Sequence, residues 1–262
     1  MTSSGSSKDS AKVNDMEKKL LSLVANSKFF KEHPPRDLPL FDSNEVKVGP
    51  ILGVGGFCNV HEIVAMSLNS QTNGHNDSST FNKTTVLAQE MAKNDLDFDE
   101  EEAVGFDGFD IHDDFVDMID VKKYMAQNCI RQTDARYALK RLKVDLTEKE
   151  LHYALLDLAV EAKFLASIIH PNIVKMRGTS LKSLQKDSYL ILDRLYDTLE
   201  TRIDTWSEKM HNLKGCCGMG GDKGELKKLM LQRITVSYDL AAAFLFLHEK
   251  GCVHYYRFYW MN

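Results

Sequence analysis

Cysteine and proline are scarce in this chain, five of each in 262 residues, and the way they are spaced excludes several kinds of protein. Cys58, Cys129, Cys216, Cys217 and Cys252 form no Cys-x-x-Cys pair. An odd set of thiols without that spacing is neither a disulfide framework nor a zinc knuckle. It predicts reduced thiols in a cytoplasmic or nuclear compartment. No apolar run approaches the roughly 18–20 residues that span a bilayer, so no membrane partner is expected. The first ten residues, Met1-Thr-Ser-Ser-Gly-Ser-Ser-Lys-Asp-Ser10, lack the apolar core of a secretion signal. No basic stripe is present and the formal net charge is −5, so nucleic acid is not expected as a partner. No internal repeat is visible. What is present, 43% hydrophobic and 27% charged residues, is enough for one large domain or two small ones with a buried core.

Pattern and breaks alternate along the chain. Residues 1–16 are rich in Ser and Lys and read as a disordered tail. From Met16 to Phe30, Leu20, Leu21, Leu23 and Val24 fall on one side of a short amphipathic helix, which His33-Pro34-Pro35 stops. This helix is either an appendage packed on the domain or a solvated arm, and residues 1–44 are assigned to an N-terminal tail. Val46, Val48 and Ile51 then read as a strand, with Val60, Ile63, Val64 and Ala65 as its partner. Between them, Ile51-Leu-Gly-Val-Gly-Gly-Phe-Cys-Asn-Val60 sets Gly53, Gly55 and Gly56 between apolar flanks. Glycine admits φ > 0 and close approach of a ligand. The stretch reads equally as a plain hairpin turn or as a hairpin folded over nucleotide phosphates, with Phe57 closing its tip.

Residues 67–133 break the pattern and read as an acidic, disordered insertion. Between Asn94 and Asp120 stand twelve carboxylates and no Lys or Arg, a block that repels itself. Phe98, Phe106, Phe109 and Phe115 scattered through it are available to dock on a partner. Asp95, Asp97 and Asp99 have the spacing of calcium-loop ligands. The sixth position is Glu100 where Gly is needed and the twelfth is Phe106 where Glu is needed, so an EF-hand is rejected and no metal site is assigned.

Order returns at Ala135. Tyr137, Leu139 and Arg141 alternate with Ala138, Lys140 and Leu142, which puts Lys140 on an apolar strand face. A lysine there is costly unless an anion meets it or its stem snorkels at a strand edge. Thr147 and Glu150 make a capping box ahead of Leu151, Ala154, Leu155, Leu158, Ala162, Leu165 and Ile169 at helical spacing. Glu161 lies beside that stripe and either stays in solvent or meets a cation. His170-Pro-Asn-Ile-Val174 ends the helix, and residues 173–176 and 189–193 read as two short strands. A linker from Leu195 leads into a helix. Residues 210–224 hold Gly215-Cys-Cys-Gly-Met-Gly-Gly221 and form a second insertion, without the Gly-Lys-Ser/Thr ending of a P-loop. Residues 225–249 read as a long helix with Leu229, Ile234, Ala241, Phe244, Leu245 and His248 aligned, and Gly251 ends it.

Taken in this order the pieces closely resemble the protein kinase superfamily, in its serine/threonine branch, over about residues 46–254. Ile51–Val60 resembles the family's Gly-rich loop, and Tyr137-Ala-Leu-Lys140 its Val-Ala-Ile-Lys strand. Glu161 in Ala159-Val-Glu-Ala162 resembles the glutamate of the family's helix C. His170–Val174 is a frequent family sequence after that helix. Tyr189-Leu-Ile-Leu-Asp-Arg-Leu195 resembles the strand into the hinge, and Phe246-Leu-His-Glu-Lys-Gly251 the end of helix E.

The resemblance implies an α+β, kinase-like fold: a small antiparallel sheet lobe with helix C, plus the first helices of an incomplete second lobe, within residues 45–262. It also implies roles. Leu52, Gly53, Val54, Gly55, Gly56, Phe57 and Cys58 would cover the phosphates of ATP, with Cys58 in place of the family's third glycine. Val60 and Ala138 would pack on adenine. Lys140 would hold the α/β-phosphates and pair with Glu161. Leu192 would be the gatekeeper, and Asp193 and Leu195 would offer backbone groups to the adenine edge. The implied activity is transfer of the ATP γ-phosphate to protein Ser or Thr, with Mg2+ in the full-length family form.

After His254, which matches the His of the family's catalytic loop, the resemblance stops. Tyr256 stands where the catalytic aspartate belongs. A phenol does not replace a carboxylate that accepts a proton near pH 7, and the metal-binding Asn and Asp do not follow. We therefore expect a catalytically incomplete chain: the ATP-binding part of a serine/threonine kinase, or the product of a retained intron or a mistaken gene model. Two other functions fit the residues. One is a pseudokinase or regulatory fragment that binds nucleotide or a partner, and the other is an interaction protein acting through the acidic insertion. Without further second-lobe helices, helix 225–249 is expected to leave an exposed apolar patch.

Overall fold

A computed structural model of the chain describes residues 6–68, 118–180, 184–214 and 222–252, and for residues 6–14 and 214 the backbone alone. The architecture is α+β. Its centre is a six-stranded sheet formed by β1 (Leu40–Phe41), β2 (Val46–Val54), β3 (Cys58–Met66), β6 (Tyr137–Leu142), β7 (Met176–Ser180) and β8 (Tyr189–Asp193), in the order β1-β7-β8-β6-β3-β2. A separate two-stranded ribbon joins β4 (Ile130–Arg131) to β5 (Asp134–Ala135). Neighbours in the main sheet run antiparallel except β1, which pairs parallel to β7. The sheet is therefore mixed, where an antiparallel one was expected. β1 lies in the segment assigned to the tail, because a strand of two residues carries no periodicity to read.

Alternation along the strands produces two cores, one on each face. On β8, Leu190 and Leu192 point into one core while Tyr189 and Ile191 point into the other. Successive side chains on a strand face opposite ways, and a strand apolar on both faces sits inside the sheet. The first core lies against α4 (Glu148–Ser167), whose Ala154, Leu155, Leu158 and Leu165 are buried. The predicted capping box starts this helix: Thr147 accepts from the Glu150 amide and Glu150 accepts from the Thr147 amide. A helix cap of this kind contributes about 1 kcal/mol.

The N-terminal segment joins the first core and is no solvated arm. α1 (Ser6–Asn26) begins well before the expected helix, inside the stretch read as a disordered tail, and α2 (Lys28–Glu32) follows it. Met16, Leu20, Phe29 and Phe30 are buried among the residues of α4. Each such side chain contributes about 1.5–3 kcal/mol of burial. A polar composition hides the helix start, because only one face of α1 needs apolar residues.

The second core is closed by α3 (Met118–Gln127), at the end of the stretch read as a disordered insertion. Val121, Met125 and Cys129 recur every four residues and are buried against Phe41, Ile63, Tyr137 and Leu139. Lys122 on the same helix reaches both carboxylate oxygens of buried Glu45, at 2.8 and 2.9 Å, and lies over the Phe41 ring. The apolar spacing of this helix was masked by the carboxylates before it. Asp95, Asp97, Asp99 and the four phenylalanines of the insertion lie outside the described residues.

Two helices complete the described chain: α5 (Leu199–Lys214) and α6 (Lys223–Glu249). Gly251 ends α6 at φ +71°, a conformation that favours glycine. The buried face of α6 matches the predicted stripe at Leu229 and departs from it further along. Leu229, Ala243 and Leu247 are buried, whereas Ile234, Phe244 and Leu245 are more than half exposed. Among the described residues α6 is also the one helix long and apolar enough to cross a membrane by length and composition. It is tied to the domain through Asn172, which donates to the backbone oxygen and the carboxylate of Asp239, and through a His170–Phe246 ring contact at 4.8 Å. Cys58, Cys129 and Cys252 are unbridged, and burial pushes the Cys129 and Cys252 thiols up to about 11.

The parallel β1–β7 edge depends on a missing side chain. A Cβ at Gly178 would stand 2.8 Å from the Phe41 ring and 2.9 Å from the Pro39 carbonyl oxygen, inside contact distance for both. Gly178→Ala is expected to destabilise the fold by about 1–3 kcal/mol. Urea denaturation of the two proteins checks this, and equal midpoints would mean that β1 is not packed as described.

Candidate functional site

Lys140 sits on β6, opposite Val60 of β3 and Leu190 of β8. The strand is interior, so its Cα position is held from both sides. The side chain leaves the sheet on the face of the first core and meets Glu161 of α4. Nζ lies 2.7 Å from each carboxylate oxygen of Glu161. The two open possibilities for these residues are thereby resolved together: the lysine does not snorkel and the glutamate does not stay in solvent. The side chains remain 23% and 22% exposed, so the pair is shielded from the protein side and open on another. Partial exposure keeps its desolvation cost below that of a fully buried pair.

The Gly-rich hairpin lies between β2 and β3. Its turn is closed by Gly55 N–H donating to the Cys58 carbonyl at 2.8 Å. The Lys143 amide donates to the Phe57 carbonyl at 2.9 Å and ties the tip to the end of β6. None of Gly53, Gly55 and Gly56 has a positive φ, so backbone handedness is not what requires glycine here. At Gly55 the reason is space, since a Cβ would stand 3.3 Å from the Cys58 carbonyl oxygen. At Gly53 and Gly56 a Cβ would meet no protein atom within 4 Å. The fold does not need glycine at these two positions. Leu52, Val54 and Phe57 are exposed around the turn.

Cys58 is half-buried at the base of this hairpin. Burial raises its thiol pKa, Lys140 opposes the shift, and the carboxylates of Glu161 and Asp157 add to it. The result is less thiolate at neutral pH than an ordinary exposed cysteine carries, so the site does not activate this sulfur.

Further along the face, Ala138 pairs with Leu192 across β6 and β8, and both are buried. Asp193 follows at the strand end. Its amide donates to the Lys175 carbonyl at 3.0 Å. Its carboxylate is held by Arg177, at 2.7 and 2.9 Å. Leu195 is exposed just beyond. Val60, Ala138, Lys140, Glu161 and Leu192 are thus brought to one side of the sheet beneath the hairpin, with Asp193 and Leu195 at its rim. His254 and Tyr256 lie outside the described residues, as do Cys216 and Cys217.

Sequence reasoning missed the ionic frame at the rim. Arg194 pairs with Glu62 on β3 and lies over the Tyr196 ring at 4.9 Å, and Tyr196 Oη donates to the Ala135 carbonyl at 3.0 Å. The available signal was the abrupt Asp193-Arg194 after four apolar residues, because charges that close a buried strand need partners. No group of three His, Cys, Asp or Glu side chains able to hold a metal occurs among the described residues. A hollow of about 370 Å³ lined by Val46, Val48, Leu139, Arg141, Lys143 and Tyr189 opens on the other side of the sheet. It contains neither Lys140 nor Glu161, so its size does not outweigh the chemistry of the first face.

No family model, no curated protein and no solved structure matches this chain.

A double-mutant cycle with Lys140→Met and Glu161→Gln is expected to return a coupling of about 1–2 kcal/mol in unfolding free energy. Each single variant should cost more than the pair replaced together, because each leaves one charge without its partner. Strictly additive losses would contradict the contact.

Proposed function

We propose that this chain binds ATP beneath the Gly53–Cys58 hairpin, as the nucleotide-holding part of a serine/threonine protein-kinase-like domain. One observation carries the reading: the Lys140 ammonium, fixed on an interior strand, is oriented by both oxygens of Glu161 at 2.7 Å under a glycine hairpin. A lysine has three N–H donors. Two directed at Glu161 leave the third for a phosphate oxygen. Without its glutamate the ammonium would sample many positions, and with it the cation waits in one place, which lowers the ordering cost of binding.

The remaining residues complete a nucleotide seat. The backbone at Gly53 and Gly56 can approach phosphates closely, because nothing crowds it there, while the Gly55 N–H stays on the Cys58 carbonyl and holds the turn. Val60, Ala138 and Leu192 supply the apolar surface for a purine, and the backbone of Asp193 and Leu195 its polar edge. Transfer of the γ-phosphate to a protein hydroxyl needs a carboxylate base and metal ligands, and the residues matched to the family do not supply them. The activity proposed for this chain is therefore nucleotide binding. Phosphoryl transfer is assigned to a form that also carries those groups.

Thermal unfolding with and without ATP tests this. At ATP about 100-fold above the dissociation constant, binding is worth ~2.7 kcal/mol, a shift of several degrees for a domain of this size. Wild type should show that shift. Gly56→Ala should unfold within about 0.5 kcal/mol of wild type without ligand yet lose part of the shift, and Lys140→Met should lose nearly all of it. No shift in wild type would overturn the reading. An equal shift in Lys140→Met would place the nucleotide elsewhere, and phosphate transfer by this chain alone would contradict the division of roles.

A further inference from the structure

The helix that carries Glu161 does not cap itself. α4 runs to Ser167, and its last turn contains no basic residue. It ends at Ile168 in extended conformation, without the glycine that commonly satisfies terminal carbonyls. The last carbonyls of a helix lack partners within it and carry partial negative charge. Here the donor comes from 130 residues earlier. Arg36 gives its backbone amide and its Nε to the Ala166 carbonyl, each at 3.0 Å, and its Nη2 to the Ile168 carbonyl at 3.3 Å. The guanidinium thus adds a cation where the helix end is negative.

Just upstream, α2 presses an aromatic pair onto the same helix. Phe29 packs on Phe164 with ring centroids 5.3 Å apart and on Phe30 at 5.2 Å, and both α2 rings are buried in the first core. Phe164 lies three residues after Glu161, and Ala166 five. The segment therefore grips α4 along the last two turns, directly after its functional carboxylate.

We infer that residues 27–37 are a positioning strap, which seats α4 against the sheet so that Glu161 reaches Lys140. Arg36 and Phe29 are its positioning residues. They touch no reacting group and act through the helix. The strap's effect on the pair stands by itself, while its consequence for ATP rests on the nucleotide reading above. A helix held by apolar contacts alone can rotate or slide by small amounts. A donor on its terminal carbonyls fixes its end, and the 2.7 Å contact at Glu161 tolerates little displacement.

The test uses the full chain with Arg36→Ala, Arg36→Lys, Phe29→Ala and Phe29→Leu. Lys140 is labelled by an amine-acylating ester without nucleotide and read by peptide mass spectrometry against the other lysines. ATP-induced thermal shifts are measured in parallel. Arg36→Ala should label Lys140 about three- to tenfold faster than wild type, with the other lysines unchanged, and should lose at least half of the ATP shift. Arg36→Lys should fall between. Phe29→Leu should stay close to wild type, and Phe29→Ala should behave like Arg36→Ala if folded. If Phe29→Ala fails to fold, Arg36→Ala still decides, since a half-buried guanidinium leaves no core cavity. A folded Arg36→Ala with unchanged Lys140 labelling overturns the strap. So does loss of folding in every variant, because the segment would then be a structural element only. Faster labelling of Lys140 in a chain whose wild type shows no ATP shift upholds the strap and rejects the nucleotide reading.

Discussion

An ammonium on the apolar face of an interior strand must find an anion, and the rest of this fold can be understood from how Lys140 finds Glu161. The strand cannot move toward the helix, because it is hydrogen-bonded on both sides, to β3 and to β8. The helix must come to the strand. That requires a defined helix start, supplied by the Thr147–Glu150 box, an apolar stripe facing the sheet, supplied by Leu155, Leu158 and Leu165, and a held helix end, supplied by Arg36. The ion pair itself contributes modestly to stability. Its value lies in orientation, since it holds one cation in one place under the hairpin.

The two faces of the sheet divide the work. The outer face is sealed by α3 with Val121 and Met125, and the Lys122–Glu45 pair sits at its edge. The inner face carries α4, the pair and the hairpin. Strand alternation makes this division possible, because one residue of β8 or β6 packs outward and the next inward. The same rule places Lys140 with Ala138 and Leu142 and keeps Arg141 on the other side. The hollow beside Arg141 and Lys143 opens on the outer face, where the Lys122–Glu45 pair ties α3 to the residue before β2.

Much of this was legible in the residues. Period-two alternation disclosed β2, β3 and β6, a short continuous apolar run disclosed β8, and period 3.6 with a capping box disclosed α4. Lys140 on an apolar strand face and Glu161 beside an apolar helix stripe each left a partner or solvent open, and it was the family resemblance that paired them. What stayed hidden has physical reasons. β1 is too short to have a period. α1 buries only one face and looks polar, and α3 follows a run of carboxylates that obscures its i, i+4 spacing. The glycines of the hairpin were expected to admit a positive φ or the close approach of a ligand, and Gly53 and Gly56 have no positive φ and open space beside them. The face of α6 was misassigned because apolar residues occur all round it, so the pattern alone does not say which side packs. Arg36 was invisible as a helix cap, because nothing local in a sequence connects residue 36 to residue 166.

The central claim is that nucleotide phosphates lie between the hairpin and Lys140. Amide hydrogen exchange with and without ATP tests it most directly, residue by residue and without substitutions. The account predicts that protection rises at Gly53–Cys58 and at Leu195, with no change at Val144 and Lys186 around the hollow on the far face. Unchanged exchange in the hairpin at saturating ATP, or protection confined to the far face, would contradict it.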